Sequence, residues 1–146
     1  MKNLFLIVHG LRAYVNGGLT GDGENQALDL AIKFTNLKLQ GKTKIISSSI
    51  LCSMQTADII RYCLNLDDKI YPIIGAACLE VDFSWLKNEM DNFDGDNLIV
   101  ISHRDYVNRF PVHLGFKENQ CCCAEGVLIR GGECIEFFDY EKTFPF

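Results

Sequence analysis

The chain has 146 residues, 48% of them apolar and 11% aromatic, enough for one core and short for two, so a single domain over 1–146 is expected. Its formal net charge of -5 leaves no basic footprint, which argues against nucleic acid or an anionic membrane surface as the main partner and makes any anion site a local one.

Leu4 to Val8 reads as the first apolar strand and runs straight into His9-Gly10. This run is too short for a signal-peptide core or a membrane span, and a cytoplasmic protein is expected. A polar, glycine-rich stretch from Gly10 to Gly23 precedes a helical pattern over Glu24 to Leu39, with Ala27, Leu28, Leu30, Ala31, Phe34 and Leu37 on its apolar face. Thr20 and Asp22 are the candidate caps, and Gly41-Lys42 is the expected stop. Thr43 to Ile46 makes a short buried strand, and Ser47-Ser48-Ser49 opens a second helix through Leu51, Met54, Ala57, Ile60 and Leu64, stopping near Asn65. Lys69 to Ile74 reads as a third strand, with Pro72 pointing to an edge. Residues 83–93 suit a helix, Asp94-Gly95-Asp96 a turn, and Asn97 to Ile101 a strong strand ending at Ser102-His103, followed by a helix from about Asp105 to His113. Glu125 to Arg130 and Glu133 to Phe138 flank Gly131-Gly132, the signature of a hairpin with a two-residue turn.

Alternating strands and helices imply an α/β, doubly wound and mostly parallel sheet with helices on both faces, to which the hairpin adds antiparallel edge strands. In such sheets the residues just past the carboxyl ends of neighbouring strands share one crevice, so His9 and His103 are expected to face each other there. The seven cysteines lack zinc-type C-x-x-C spacing and suit reduced thiols, with Cys121-Cys122-Cys123 as small residues leading into a strand.

Three patterns follow in order: strand-His9-Gly10 with Leu19-Thr20, Gly23 and Gln26-Ala27; Ser47-Ser48, Leu51 and Gln55-Thr56-Ala57 at a helix opening; and strand-Ser102-His103. Together they resemble the histidine phosphatase superfamily, the phosphoglycerate mutase-like proteins, over nearly the whole chain. Its length is closer to the compact branch that includes the phosphohistidine phosphatases of the SixA type. The resemblance implies that His9 attacks a phosphoryl group and becomes a phosphohistidine, that His103 assists, and that Glu80 donates a proton. It also implies Gly10 beside the phosphoryl group and a phosphorylated small molecule or phosphoprotein as partner, with no cofactor and no resident metal. Two arginines that the pattern carries are replaced: Val8 and Cys52 stand in their places, and Ser49 stands where proline is common.

A phosphoryl-transfer site works by positioning and by stabilising charge on the equatorial oxygens, and one such arginine is worth roughly 10³ to 10⁵ in rate. Without a guanidinium at Val8, His9 is expected to protonate more readily, and an imidazolium cannot attack phosphorus. Arg12, three residues after His9, and Arg104, directly after His103 at a helix start, are the candidate replacements, with Asn16 as a further polar contact. Arg109 and His113 are read as structural. The expected activity is a weak or atypical phosphomonoesterase; the alternative is a catalytically degenerate member of the fold that binds a ligand or partner. His9, His103, Cys52 and Glu80 are also zinc-compatible residue types, although their spacing gives no metal signature. The apolar tail Phe144-Pro145-Phe146 suits a sheet edge or another subunit, and the oligomeric state stays open.

Overall fold

The computed structural model describes residues 2–66, 71–73 and 83–137. In chain order the elements are β1 (Asn3–Val8), α1 (Gly21–Leu37), β2 (Thr43–Ser48), α2 (Leu51–Cys63), β3 (Tyr71–Ile73), α3 (Ser84–Asn92), β4 (Asn97–Ser102), α4 (Arg104–His113), β5 (Gly126–Arg130) and β6 (Glu133–Glu136). They form one six-stranded sheet in the order β3-β2-β4-β1-β5-β6. The first four of these strands run parallel to their neighbours, while β5 is antiparallel to β1 and β6 to β5. Pro72 does lie on an edge strand, where its missing N–H is tolerated.

Continuous apolar runs make the two central strands because both faces of the sheet are covered. Every residue of β1 and of β4 is buried. On one face Phe5, Ile7, Ile99 and Ile101 pack against Leu30 and Phe34 of α1 and Ala57 and Ile60 of α2. On the other face Leu4, Leu6, Val8, Leu98 and Val100 pack against Leu86 of α3 and Tyr106, Val107 and Phe110 of α4. The side-chain period of two sends alternate residues of each strand into each layer. Phe5 anchors the first layer through edge contacts with Phe34 and Phe137, at 5.0 and 5.3 Å between ring centroids.

Several boundaries differ from the sequence expectation, each for a local reason. Thr20 caps α1, its hydroxyl accepting from the Gly23 N–H at 2.9 Å, and Asp22 and Glu24 meet the positive end of the helix dipole. The helix begins at Gly21 and ends before Lys38, which itself takes the left-handed conformation at φ 50°, ahead of Gly41. Ser47 and Ser48 continue β2 instead of opening α2, because β3 and β4 pair with them; α2 then begins at Leu51, after Ile50. Arg104 is the first residue of α4, one earlier than expected, so that His103 occupies the N-cap position. The hairpin is present, with β6 ending at Glu136.

The described cysteines, 52, 63, 121, 122, 123 and 134, are all free thiols. Among the described residues no helix is long and apolar enough to cross a membrane. Phe144-Pro145-Phe146 lies outside the described residues.

Candidate active site

Parallel pairing of β1 with β4 sets Val8 opposite Ser102, so the residues that follow, His9 and His103, leave the sheet side by side. The His9 N–H donates to the Ser102 carbonyl at 3.1 Å, extending that register by one step. The two half-buried imidazoles meet edge to face, 5.2 Å between ring centroids at 70°. His9 Nδ1 lies 2.7 Å from the Gly10 carbonyl oxygen, which can only accept, so Nδ1 carries the proton and Nε2 keeps its lone pair. His103 Nε2 shares a hydrogen bond of 3.0 Å with the Ser48 hydroxyl at the end of β2. Three adjacent strand ends therefore build one crevice, as open α/β sheets do.

The electrostatics overturn one expectation. Burial is the largest influence on His9 and lowers its pKa below 6.5; the Gly10 hydrogen bond opposes this, while the charges of Arg12 and Arg104 lower it further. His103 is lowered to about 4, first by burial, then by His9 and Arg12. The loss of an arginine at Val8 thus does not leave His9 easily protonated, because burial and two other guanidiniums keep the imidazole neutral. Burial likewise pushes the Cys52 thiol up, with Arg12 pulling against it. Among the described residues, Arg12 is the one whose charge reaches His9, His103 and Cys52 together.

A consequence for stability follows from these depressed values. The unfolded chain takes up protons on its histidines below 6.5, while folded His103 resists until about 4, so acidification through that window favours unfolding. The urea midpoint is expected to fall as the solution is taken from about pH 7 to about pH 4.5, and to fall less in a variant carrying His9→Asn and His103→Asn. An equal fall in both proteins would show that the histidines contribute nothing to it.

Arg12, whose charge acts on both histidines, stands on a loop with several hydrogen-bonded supports. Arg12 forms an isolated antiparallel bridge with Leu19, and the Ala13 N–H donates to the Gly18 carbonyl at 2.7 Å. Two glutamines clamp the loop from the helices: Gln26 Oε1 accepts from the Leu11 N–H at 2.9 Å, and Gln55 Oε1 accepts from the Leu19 N–H at 2.7 Å. Thr56 Oγ1 accepts from the Gly10 N–H at 3.0 Å and donates to the Cys52 carbonyl at 2.8 Å, so the base of the loop is tied to the first turn of α2. Gly10 and Gly23 permit the close approach of loop and α1. A Cβ on Gly10 would lie 2.6 Å from the Gly23 carbonyl oxygen, and one on Gly23 would lie 2.3 Å from that of Leu11.

His9, His103, Gly10, Arg12 and Arg104 thus gather at one crevice. Asn16 lies on the exposed turn of the same loop, its Oδ1 accepting from the Gly18 N–H at 2.9 Å. Val8, 1% exposed, packs into the layer beneath α3 and α4, and Cys52 is fully buried at the start of α2. Glu80 lies outside the described residues. Among the described residues no three His, Cys, Asp or Glu side chains gather so as to hold a metal ion. The side chains of Arg12, Arg104 and Arg109 form no ion pair or hydrogen bond among the described residues, where the ion pairs are Lys42–Asp94, Lys44–Glu89 and Arg61–Asp58. Ser48, Gln26, Gln55 and Thr56 are the supporting residues that chemistry-bearing residue types did not single out. Their signal was the fixed spacing of Gln26-Ala27 and Gln55-Thr56-Ala57 after each strand.

No protein-family model and no curated protein matches the chain. Solved structures do match. The protein histidine phosphatase SixA, complexed with tungstate, has a TM-score of 0.79 at 17% identity over 94% of this chain and 98% of that one. Phosphoserine phosphatase from Entamoeba histolytica, in complex with 3-phosphoglyceric acid, has a TM-score of 0.66 at 16% identity over 93% and 95%. A mycobacterial glucosyl-3-phosphoglycerate phosphatase, complexed with VO3, has a TM-score of 0.69 at 10% identity over 91% and 93%. These likenesses establish the fold as the phosphoglycerate mutase-like fold of the histidine phosphatases.

Proposed function

We propose that this chain, which has the fold of the histidine phosphatases, transfers a phosphoryl group through His9, with Arg12 and Arg104 supplying the positive charge that Val8 and Cys52 do not. The observation that carries this reading is the state of His9. Its Nδ1–H is engaged by the Gly10 carbonyl, its pKa is lowered, and its Nε2 lone pair is free to attack phosphorus. In that step Nε2 forms a bond to phosphorus as the bond to the leaving oxygen breaks, and the departing oxygen takes a proton, a role the resemblance gives to Glu80. Water then attacks the phosphohistidine, releasing phosphate and restoring the neutral imidazole.

His103 suits a hydrogen-bonding part better than a cationic one. Lowered to about 4, it is neutral near pH 7 and offers a ring N–H or lone pair, not a charge. The charge on the equatorial oxygens then falls to Arg12 and Arg104, aided by the N-terminus of α4. Relocated cations in place of aligned ones support a slow phosphomonoesterase.

Two measurements test the reading. Orthovanadate is expected to bind and to inhibit hydrolysis of an aryl phosphate, and a quenched reaction with labelled substrate is expected to leave protein-bound phosphate that is acid-labile and alkali-stable. Vanadate binding without any hydrolysis would favour a ligand-binding protein on the same fold. Failure of both hydrolysis and vanadate binding would reject a phosphoryl site altogether.

A further inference from the structure

Ser48 is the last residue of β2 and is fully buried, so its hydroxyl must find its hydrogen-bond partners inside the protein. Among the described residues it has two: the Ile50 N–H, which donates to Ser48 Oγ at 3.4 Å, and His103 Nε2, 3.0 Å away. A backbone N–H can only donate. The hydroxyl proton is therefore left with one acceptor, the Nε2 lone pair of His103. The reverse arrangement, with an Nε2–H donating to Ser48, would give the oxygen two donors and leave a buried hydroxyl proton without an acceptor, a costly kind of unmade bond.

A neutral imidazole that accepts at Nε2 carries its proton on Nδ1. His103 is neutral near pH 7, because burial and then the charges of His9 and Arg12 lower its pKa to about 4. Its Nδ1 makes no hydrogen bond among the described residues: although His103 is the N-cap residue of α4, its side chain forms no capping bond to the helix. The ring is thus tied to β2 at one nitrogen and has an uncommitted N–H at the other. His9 has the opposite polarity, its Nδ1–H engaged by the Gly10 carbonyl and its Nε2 lone pair free. The two rings stand 5.2 Å apart between centroids. Two free lone pairs side by side would repel a phosphoryl group, whereas one lone pair and one N–H match a phosphorus atom and one of its oxygens.

We propose that Ser48 is a positioning residue of the crevice: its hydroxyl holds His103 in the Nδ1–H tautomer, so that this N–H donates to a phosphoryl oxygen while His9 Nε2 meets the phosphorus. This assignment rests on the phosphoryl-transfer reading and adds to it the residue that sets the state of the second histidine. Which ring nitrogen bears the proton is decided by the hydrogen bond that the other makes. A free histidine side chain favours the Nε2–H form, so the Ser48 hydroxyl acts against the ring's own preference, and its removal registers in the ring itself.

The chain has three histidines, and long-range proton–nitrogen correlation spectra of protein labelled with nitrogen-15 histidine show, at about pH 7, which nitrogen of each is protonated. The signals of His103 are those missing from His103→Asn. In the parent, His103 is expected to carry its proton on Nδ1, and orthovanadate is expected to move that proton downfield. Ser48→Ala is expected to shift the ring toward the Nε2–H form and to lower kcat for an aryl phosphate by roughly tenfold, with KM within about twofold of the parent. Ser48→Thr, which keeps the hydroxyl, is expected to restore both tautomer and rate. The parent spectra need no variant at Ser48, so they decide the matter even where Ser48→Ala misfolds. A proton on Nε2 in the parent, or an Nδ1–H that bound vanadate leaves unmoved, overturns the assignment and leaves transfer through His9 standing. A Ser48→Ala that loses rate with the tautomer unchanged overturns it too, since Ser48 would then only support the strand end. A parent in the Nδ1–H form that binds no vanadate rejects the phosphoryl-transfer reading, and the donation to a phosphoryl oxygen with it.

Discussion

His9→Ala is expected to lower turnover of an aryl phosphate by roughly 10³-fold or more, and to abolish the acid-labile phosphoryl-protein, while vanadate affinity falls by no more than about tenfold. The split between rate and binding is the informative part. If Nε2 of His9 is the attacking atom, its removal deletes the covalent route, whereas the oxyanion still meets Arg12, Arg104, the N-terminus of α4 and His103. Residual hydrolysis would then come from positioning alone, by water, and would leave no labelled protein. Activity that survives His9→Ala at the parent level would remove His9 from the chemistry and leave the crevice a binding site. The variant is also expected to fold, since the imidazole is half-buried at the end of β1 and its one side-chain hydrogen bond among the described residues goes to the adjacent Gly10 carbonyl.

Much of this arrangement was legible in the sequence because strand ends are. Apolar runs ending at His9 and Ser102-His103 in an alternating β-α pattern imply neighbouring parallel strands, and topology then brings the residues past their ends together. The hairpin around Gly131-Gly132 and the edge position of Pro72 were equally plain, since each rests on a local backbone restriction. What the sequence concealed was electrostatic and supportive. A residue-by-residue reading places Arg12 in a polar loop with no direction attached, and its reach over His9, His103 and Cys52 depends on clamps from Gln26 on α1 and Gln55 on α2, contacts that span 15 and 36 residues. The expected rise in His9 basicity failed for the same reason. It counted the missing neighbour at Val8 and omitted burial, which is the largest influence on both imidazoles. Strand limits at Ser48 and Ser102 also escaped periodicity, since serine ends an apolar pattern even where pairing continues.

Arg12→Ala is expected to cut kcat by roughly 10² to 10³, the loss that follows removal of one preorganised donor to a developing oxyanion. It is also expected to move the acid limb of the pH–rate profile upward. The sign follows from the charges: Arg12 lowers both His9 and His103, so without it each imidazole protonates at a higher pH, and the neutral His9 needed for attack disappears earlier on acidification. The shift separates an electrostatic part from a scaffolding one, because the loop's hydrogen bonds run through backbone groups and through Asn16, Gln26, Gln55 and Thr56, not through the Arg12 side chain. A loss of rate with an unmoved acid limb would mean that Arg12 shapes the loop without acting on the histidines. Arg12→Lys is expected to keep the acid limb near its parent position and to recover only part of the rate, since an ammonium supplies charge but not the paired donors of a guanidinium. Val8→Arg is not the converse experiment. Val8 is 1% exposed among Leu4, Leu6 and Val107, and a guanidinium there would be desolvated in an apolar layer.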